Sequence, residues 1–335
     1  MTLDPVSQLI WDEAGDGSGS ILVIDDPSLA NHLHASGRRP RAYCDDLRDE
    51  DALTFPALDT LDAASLAGVE LVLLRLPKSL GMLQDFAERV AAFAAPKVRL
   101  LAGGREKHLT RGMNEVLGAS FGTVRASLGR QKSRVLHAAD PAPGGLSWPH
   151  TTTLDDLTLI SHAGAFAADK LDGGTRLLLD ALAGAEPPLR SATGGAIRAV
   201  DLGCGTGILA AWLADQGCDV LAIDVSQAAC ASTADTADAN RLRIEVQRAD
   251  RLDRPPESVD LVVCNPPFHR GTTKDSTPGF DLLRSAIAPL APGGELWTVF
   301  NSHLPYLPFL RAEIGRTQVV SRDRHYTVTR SLRRN

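Results

Sequence analysis

Short apolar runs alternate with helix-spaced segments along nearly all of this 335-residue chain. Ile21-Leu22-Val23-Ile24, Leu71-Val72-Leu73-Leu74 within Glu70–Arg75, and Val98–Ala102 have the length and aliphatic content of strands buried on both faces. Between them, Asp25-Asp26-Pro27-Ser28 predicts a helix start over Leu29–His34, with proline in the first turn. Leu83, Phe86, Val90 and Phe93 space a helix over Met82–Ala94 that Pro96 stops. Phe121–Val124 and Ser133–His137 read as an antiparallel hairpin closing the first half, and residues 1–20 read as a frayed lead-in.

The second half repeats the scheme. Leu157–Ser161, Ala199–Leu202, Val220–Asp224, Arg243–Val246, Leu261–Cys264 and Leu296–Phe300 are predicted strands. Predicted helices cover Arg176–Leu182, Ile208–Gln216, a small-residue stretch ending at Asn240, and Phe280–Leu290. Val319–Ser321 and Tyr326–Arg330 form a last hairpin. Alternating strands and helices predict an α/β fold with two tandem Rossmann-like domains, each a doubly wound, mostly parallel sheet ending in an antiparallel hairpin. Ala139–Pro149, with three prolines and two glycines, has linker composition. The expected division is 1–138, a linker 139–149, and 150–335.

Laid side by side, the halves diverge at two places. Asp25-Asp26-Pro27-Ser28 stands where the second half has Gly203-Cys204-Gly205-Thr206, and Arg75-Leu76-Pro77-Lys78 stands where it has Asn265-Pro266-Pro267-Phe268. The N-terminal copy therefore reads as degenerate, with a role in binding or support.

Composition adds limits. Hydrophobic content of 44% and charged content of 23% are globular values, and no apolar run reaches membrane-span length. The protein is expected in the cytoplasm, without a membrane partner and as a monomer. Cys44, Cys204, Cys218, Cys230 and Cys264 show no C-x-x-C spacing, so neither disulfides nor a metal site is expected. The net charge of −6 is unevenly spread. Residues 1–70 hold fourteen acids against four Lys/Arg, whereas 97–135 hold nine Lys/Arg against two acids and 311–335 hold seven arginines against two acids. Such basic blocks suit an RNA-facing surface, with Arg105, Lys107, Arg130, Lys132 and Arg134 as candidates.

Gly203, Gly205 and Gly207 lie between a predicted strand and helix, where glycine permits a tight turn and close backbone approach to a ligand. Nicotinamide, flavin and S-adenosylmethionine proteins share that pattern. Asp224 ends the next strand, 19 residues beyond Gly205, where an acid can accept from ribose hydroxyls. Asp201 opens the loop and suits an amino-bearing ligand better than a pyrophosphate, while Asp250 could accept from an adenine amine. Asn265-Pro266-Pro267-Phe268 follows a buried strand, and its prolines hold the chain extended and rigid. The Asn265 amide oxygen and the Pro266 carbonyl could hold both hydrogens of a planar –NH2 group, and Phe268 offers a stacking face. A base amine is a poor nucleophile because its lone pair is delocalised. Holding its hydrogens out of plane would localise that pair and aim it at a methyl donor.

Asp201–Gly207 with Asn265–Phe268 resembles class I S-adenosylmethionine-dependent methyltransferases of the Asn-Pro-Pro-Phe/Tyr type. Three further features narrow the match: the extension to His269, Phe166 with Leu171–Thr175 upstream, and Leu304-Pro305-Tyr306 downstream. With these, nearly the whole chain is similar to bacterial ribosomal RNA guanine-N2 methyltransferases, which carry a degenerate N-terminal copy of their fold. Arg75–Leu80 and the lead-in are closer to the 23S branch than to the 16S branch. The resemblance implies S-adenosylmethionine as cofactor and ribosomal RNA or a ribosomal subunit as partner. It implies cofactor contacts by Gly203, Cys204, Gly205, Gly207, Asp224 and Val225, with Asp172 and Thr175 near the methionine end. The acceptor site would be Asn265, Pro266, Pro267 and Phe268. Adenine-N6 and protein-glutamine methylation remain alternative enzymatic readings, and an RNA-binding protein with a vestigial cofactor site is the non-enzymatic one. A nicotinamide dehydrogenase would leave Asn265–Phe268 without a role.

Overall fold

Each half of the chain carries one sheet whose central strands run parallel and whose last two strands fold back as a hairpin. The computed structural model describes residues 2–15, 17, 19–166, 171–186, 189, 195–252, 258–267 and 277–334. It divides into units Met1–Trp148 and Pro149–Asn335. The first unit runs α1 (Pro5–Ala14), β1 (Ile21–Ile24), α2 (Pro27–Ala35), β2 (Arg41–Tyr43), α3 (Leu47–Asp51), α4 (Ala63–Leu66), β3 (Leu71–Arg75), α5 (Leu80–Phe93), β4 (Arg99–Arg105), α6 (Arg111–Ser120), β5 (Phe121–Ala126) and β6 (Ser133–Pro141). Strand β6 thus takes in 139–141, the first three residues of the stretch whose composition suggested a linker.

The second unit opens with a hairpin, β7 (His150–Leu154) and β8 (Leu157–Ser161). It continues α7 (Gly173–Ala183), β9 (Arg198–Leu202), α8 (Ile208–Asp215), β10 (Asp219–Asp224), α9 (Gln227–Asn240), β11 (Ile244–Arg248) and β12 (Val259–Cys264). It closes with α10 (Thr277–Ser285), β13 (Leu290–Asn301), α11 (Tyr306–Glu313), β14 (Gly315–Arg322) and β15 (Tyr326–Arg333). The helix expected to reach Leu290 stops at Ser285. Leu290 already pairs with Val259, and the register then shifts before Glu295 meets Leu261, so Ala291–Gly294 is absorbed as an irregularity in β13.

The strand orders are β2-β1-β3-β4-β6-β5 and β11-β10-β9-β12-β13-β15-β14. Removing the outer strand β11 leaves the same order in both, which establishes the internal repeat. It extends to single hydrogen bonds: the Asp25 N–H donates to the Tyr43 carbonyl at 2.9 Å, and the Gly203 N–H to the Ile223 carbonyl at 2.8 Å. By that register Cys44 stands where the second unit has Asp224, so the first unit lacks the strand-end acid as well as the glycine loop. In both sheets successive residues feed opposite faces: Val72 and Leu74 enter one apolar cluster, and Leu71 and Leu73 another. Val262 and Cys264 are likewise separated from Leu261 and Val263.

The lead-in is not frayed. Asp4 caps α1 by accepting the Val6 and Ser7 N–H groups, Pro5 sets its first turn, and Val6, Leu9, Ile10 and Ala14 are buried. A Cβ on Gly103 of β4 would come within 2.3 Å of Ile10 Cγ1, so glycine there lets the helix lie against the strand.

Candidate functional site

Strand β9 delivers the chain into Gly203–Gly207, and all three glycines have positive φ: 82°, 56° and 77°. Gly207 is the most constrained, because a Cβ there would stand 2.8 Å from the Thr233 backbone. Asp224 Oδ2 accepts from the Gly205 N–H at 3.0 Å, and Oδ1 accepts from the Ser226 N–H at 3.0 Å. The cap of α9 is Ser226 rather than Asp224. Asp224 therefore braces the glycine loop from the end of β10. Cys204 Sγ accepts the Thr233 hydroxyl at 3.2 Å, and burial pushes its thiol well above the usual range, so it stays protonated.

Asp201 lies beneath the loop, not on its ligand face. It is fully buried, and its Oδ2 accepts from the Ala210 N–H at 3.0 Å, fixing the start of α8. Burial, with the nearby Asp224 carboxylate, raises its pKa to about 7. It does not line the cavity described below, and its Oδ1 has no partner among the described residues.

The acceptor side is built from three elements. Asp172 caps α7, accepting the Gly174 and Thr175 N–H groups at 2.9 and 3.1 Å. Asn265, just past β12, donates its amide hydrogens to Asp172 Oδ2 at 3.2 Å and Thr175 Oγ1 at 3.0 Å. Those partners fix the amide orientation and leave Asn265 Oδ1 buried without a hydrogen-bond partner among the described residues. A buried, unmet carbonyl oxygen costs about 1–3 kcal/mol, and a ligand donor removes that cost. From β15, the Tyr326 hydroxyl donates to Asp172 Oδ1 at 3.3 Å. Pro266 is buried and Pro267 exposed, whereas Phe268 and His269 lie outside the described residues. Tyr306 packs its ring against Phe280 and Phe300 at centroid separations of 4.9 and 5.1 Å.

Between the two parts lies a cavity of about 220 Å³, lined by the Gly203–Thr206 backbone, Phe166, Thr175, Asn265 and residues 152–154 of β7. The hairpin wall had no signal as a ligand-binding element; only β8 was legible as a strand. It is held by a polar ladder. The N–H groups of Thr158, Ile160 and His162 donate to Asn240 Oδ1, Thr236 Oγ1 and Ser232 Oγ at 2.9, 2.9 and 2.8 Å. Two residues of strand advance about 6.6 Å and four of helix about 6 Å, so polar residues at every fourth position of α9 meet alternate strand amides. This explains why α9 is rich in small polar residues on a buried face.

Other sequence-based candidates fall away from the cavity. Asp250 pairs with Arg251 at 3.2 Å, and the Val225 carbonyl accepts from Arg248 Nε at 3.4 Å; neither residue lines the cavity. In the first unit, β4 and the β5–β6 turn bring the basic candidates together, with the Glu106 N–H donating to the Lys132 carbonyl at 3.0 Å. The block is partly compensated: Arg130 pairs with Asp12 at 3.0 Å and Arg134 with Glu106 at 3.3 Å. Lys107 and Lys132 are exposed.

S-adenosylmethionine fits these residues. The glycine cradle admits a close-lying ligand, Asp224 braces that cradle without itself lining the cavity, and the Asn265 oxygen is unmet among the described residues. Among the described residues no group of His, Cys, Asp and Glu could hold a metal, and no helix is long and apolar enough to cross a membrane.

Comparison with known proteins finds relatives along nearly the whole chain. The Methyltransferase small domain family model matches residues 156–330, and the RLMG N-terminal domain model matches 46–142. The chain is 33% identical to the ribosomal RNA large subunit methyltransferase G of Streptomyces avermitilis, over 95% of this chain and 88% of that one. It is 35% identical to the protein of the same name from Stutzerimonas stutzeri, over 78% and 70%. A solved 16S ribosomal RNA N2 methyltransferase from T. thermophilus, in complex with AdoMet and guanosine, shares the fold. Its TM-score is 0.82 at 24% identity, covering 99% of this chain and 92% of that one.

Proposed function

The chain belongs to the ribosomal RNA large subunit methyltransferase G family, and we propose that it methylates the exocyclic N2 of a guanine in large-subunit ribosomal RNA, using S-adenosylmethionine. The observation that carries the reading is Asn265: its amide hydrogens are committed to Asp172 and Thr175, so a buried oxygen is left facing the acceptor side.

The cofactor supplies an electrophilic methyl group on sulfur. Gly203–Gly207 and Asp224 hold the nucleoside part, and Asp172 and Thr175 border its methionine end. Asn265 Oδ1 and the Pro266 carbonyl accept the two hydrogens of the base amine, which turns its lone pair out of conjugation. Most of the rate then comes from alignment, for which effective molarities are large. No strong base is required, which agrees with buried thiols held protonated at Cys204 and Cys264. The target base must leave its stack to enter. Arg105, Lys107, Arg130, Lys132 and Arg134 gather at one end of the N-terminal sheet and are assigned to the RNA backbone, with Lys107 and Lys132 carrying the larger share because neither pairs with an acid among the described residues.

The test is titration calorimetry with S-adenosylmethionine alongside methyl transfer to ribosomal RNA. Asn265→Ala should bind the cofactor within a few-fold of wild type and lose transfer by at least about 100-fold. Unchanged turnover in that variant would remove Asn265 from the mechanism.

A further inference from the structure

The N-terminal unit has lost its cofactor loop yet keeps a cavity of about 470 Å³ at the carboxyl edge of its sheet. Strand β3 ends there in Arg75-Leu76-Pro77-Lys78, the counterpart of Asn265–Phe268, and β4 ends in Gly104-Arg105. Open α/β sheets bind ligands at this edge. Arg75 closes the inner side: it pairs with Asp26 at 3.1 Å and Asp4 at 2.5 Å, filling the direction in which the second unit keeps its own cavity. What remains has an apolar floor including Leu76, Leu109 and Met113, an exposed lip at Leu80, and Lys78, Arg105 and His108 around it. Among the described residues no Asp or Glu lines it, in a chain of net charge −6. Lys107 and Lys132 lie exposed on the adjoining turns.

We infer that this cavity takes one unpaired nucleotide of the substrate RNA, with its base on the Leu76–Leu109–Met113 floor and its phosphate against Lys78 and Arg105. The inference rests on the RNA substrate proposed above and adds a second nucleotide-binding site to it. An apolar floor accepts any base face, and the positive rim selects the polyanion, so recognition here would be of strandedness and not of sequence. A paired base could not enter.

The test uses the full-length protein and a 12-nucleotide RNA, free or annealed to its complement, with anisotropy as readout. Leu80→Asp and Lys78→Glu change exposed or rim positions and leave the fold intact, as unchanged S-adenosylmethionine affinity would report. Leu80→Asp should weaken single-strand binding about tenfold and leave duplex binding unaltered, whereas Lys78→Glu should weaken both. With 4-thiouridine in the RNA, photocrosslinks should map to peptides containing residues 76–80 or 105–113. Three results would overturn the inference: equal single-strand affinity in Leu80→Asp, crosslinks confined elsewhere, or free guanosine monophosphate binding as tightly as the oligonucleotide. Failure of S-adenosylmethionine to bind wild-type protein would instead strike the methyltransferase reading and leave the cavity assignment standing on its RNA data.

Discussion

Asn265 and Arg75 occupy the same place in the two halves of the chain, and each reaches the capping acid and third residue of the helix that opens its sheet. Asn265 donates to Asp172 and Thr175 at 3.2 and 3.0 Å. Arg75 donates to Asp4 and Ser7 at 2.5 and 2.7 Å. One constellation leaves a free carbonyl oxygen; the other ends in a guanidinium that has only donors. The exchange of one side chain separates the proposed reaction centre from a structural clasp.

That contrast gives opposite mutational outcomes. Arg75→Ala leaves Asp26, whose side chain is 1% exposed, without its cation, and should lower stability by about 1–3 kcal/mol while S-adenosylmethionine affinity stays the same. Asn265→Ala should do the reverse, with a small change in melting temperature and loss of methyl transfer. Calorimetric unfolding and a transfer assay on both variants check the pair.

Gly207→Ala should both destabilise and disable. The residue has φ of 77°, and its new Cβ would meet the Thr233 backbone at 2.8 Å. A cost of about 1–3 kcal/mol is expected, with cofactor affinity reduced at least tenfold because the loop must shift. Equal affinity would mean that the loop does not contact the cofactor.

Much of this arrangement was legible in the sequence. Gly203–Gly207, Asp224 and Asn265 stand at the strand ends where spacing placed them, because a strand-end glycine turn and a proline-locked strand exit are local signals, whereas Asp201, expected to face a ligand, is buried beneath the loop. The clasp was not legible. The start Asp4-Pro5 with Val6, Leu9 and Ile10 at helical spacing is the same signal as Asp26-Pro27 for α2, but its apolar face is secured only by packing with Leu71, Leu73 and Leu101 of distant strands. The contact of Asp172 with Asn265 was not legible either, since only tertiary packing brings Asn265 to it, 93 residues later. Cys44 as the stand-in for Asp224 needed the sheet register.

Asp25 predicts a pH dependence. It keeps the left-handed turn of Gly203, with φ of 54°, and its carboxyl accepts the Asp45 N–H at 2.9 Å. Burial, joined by the carboxylates of Asp45, Asp49 and Asp46, raises its pKa to about 7, well above the ordinary carboxylate range. The folded state therefore holds a proton that the unfolded chain has released. The contribution is complete below about pH 4 and is lost as pH rises through 7. Asn tolerates the same φ and can accept the same bond. Asp25→Asn should be more stable than wild type above pH 7, with a flatter melting-temperature profile between pH 4 and 8; Asp201, raised in the same way, leaves a residual slope. Parallel profiles would contradict the assignment.

The basic cluster should divide under salt. Replacing Lys107 and Lys132 by Ala should reduce the slope of log affinity for single-stranded RNA against log salt by roughly 0.7 per lost contact. Arg130→Ala and Arg134→Ala should change it less, since Asp12 and Glu106 already neutralise those side chains in part. Filter binding across a salt series distinguishes the two pairs.

The central claim is best tested on the product. Ribosomal RNA from a strain lacking the protein, incubated with the purified chain and S-adenosylmethionine, then digested to nucleosides and resolved by mass spectrometry, should gain N2-methylguanosine in the large-subunit RNA. The Asn265→Ala protein should add none. The appearance of N6-methyladenosine instead, or of no methylated nucleoside with cofactor-competent wild-type protein, would contradict it.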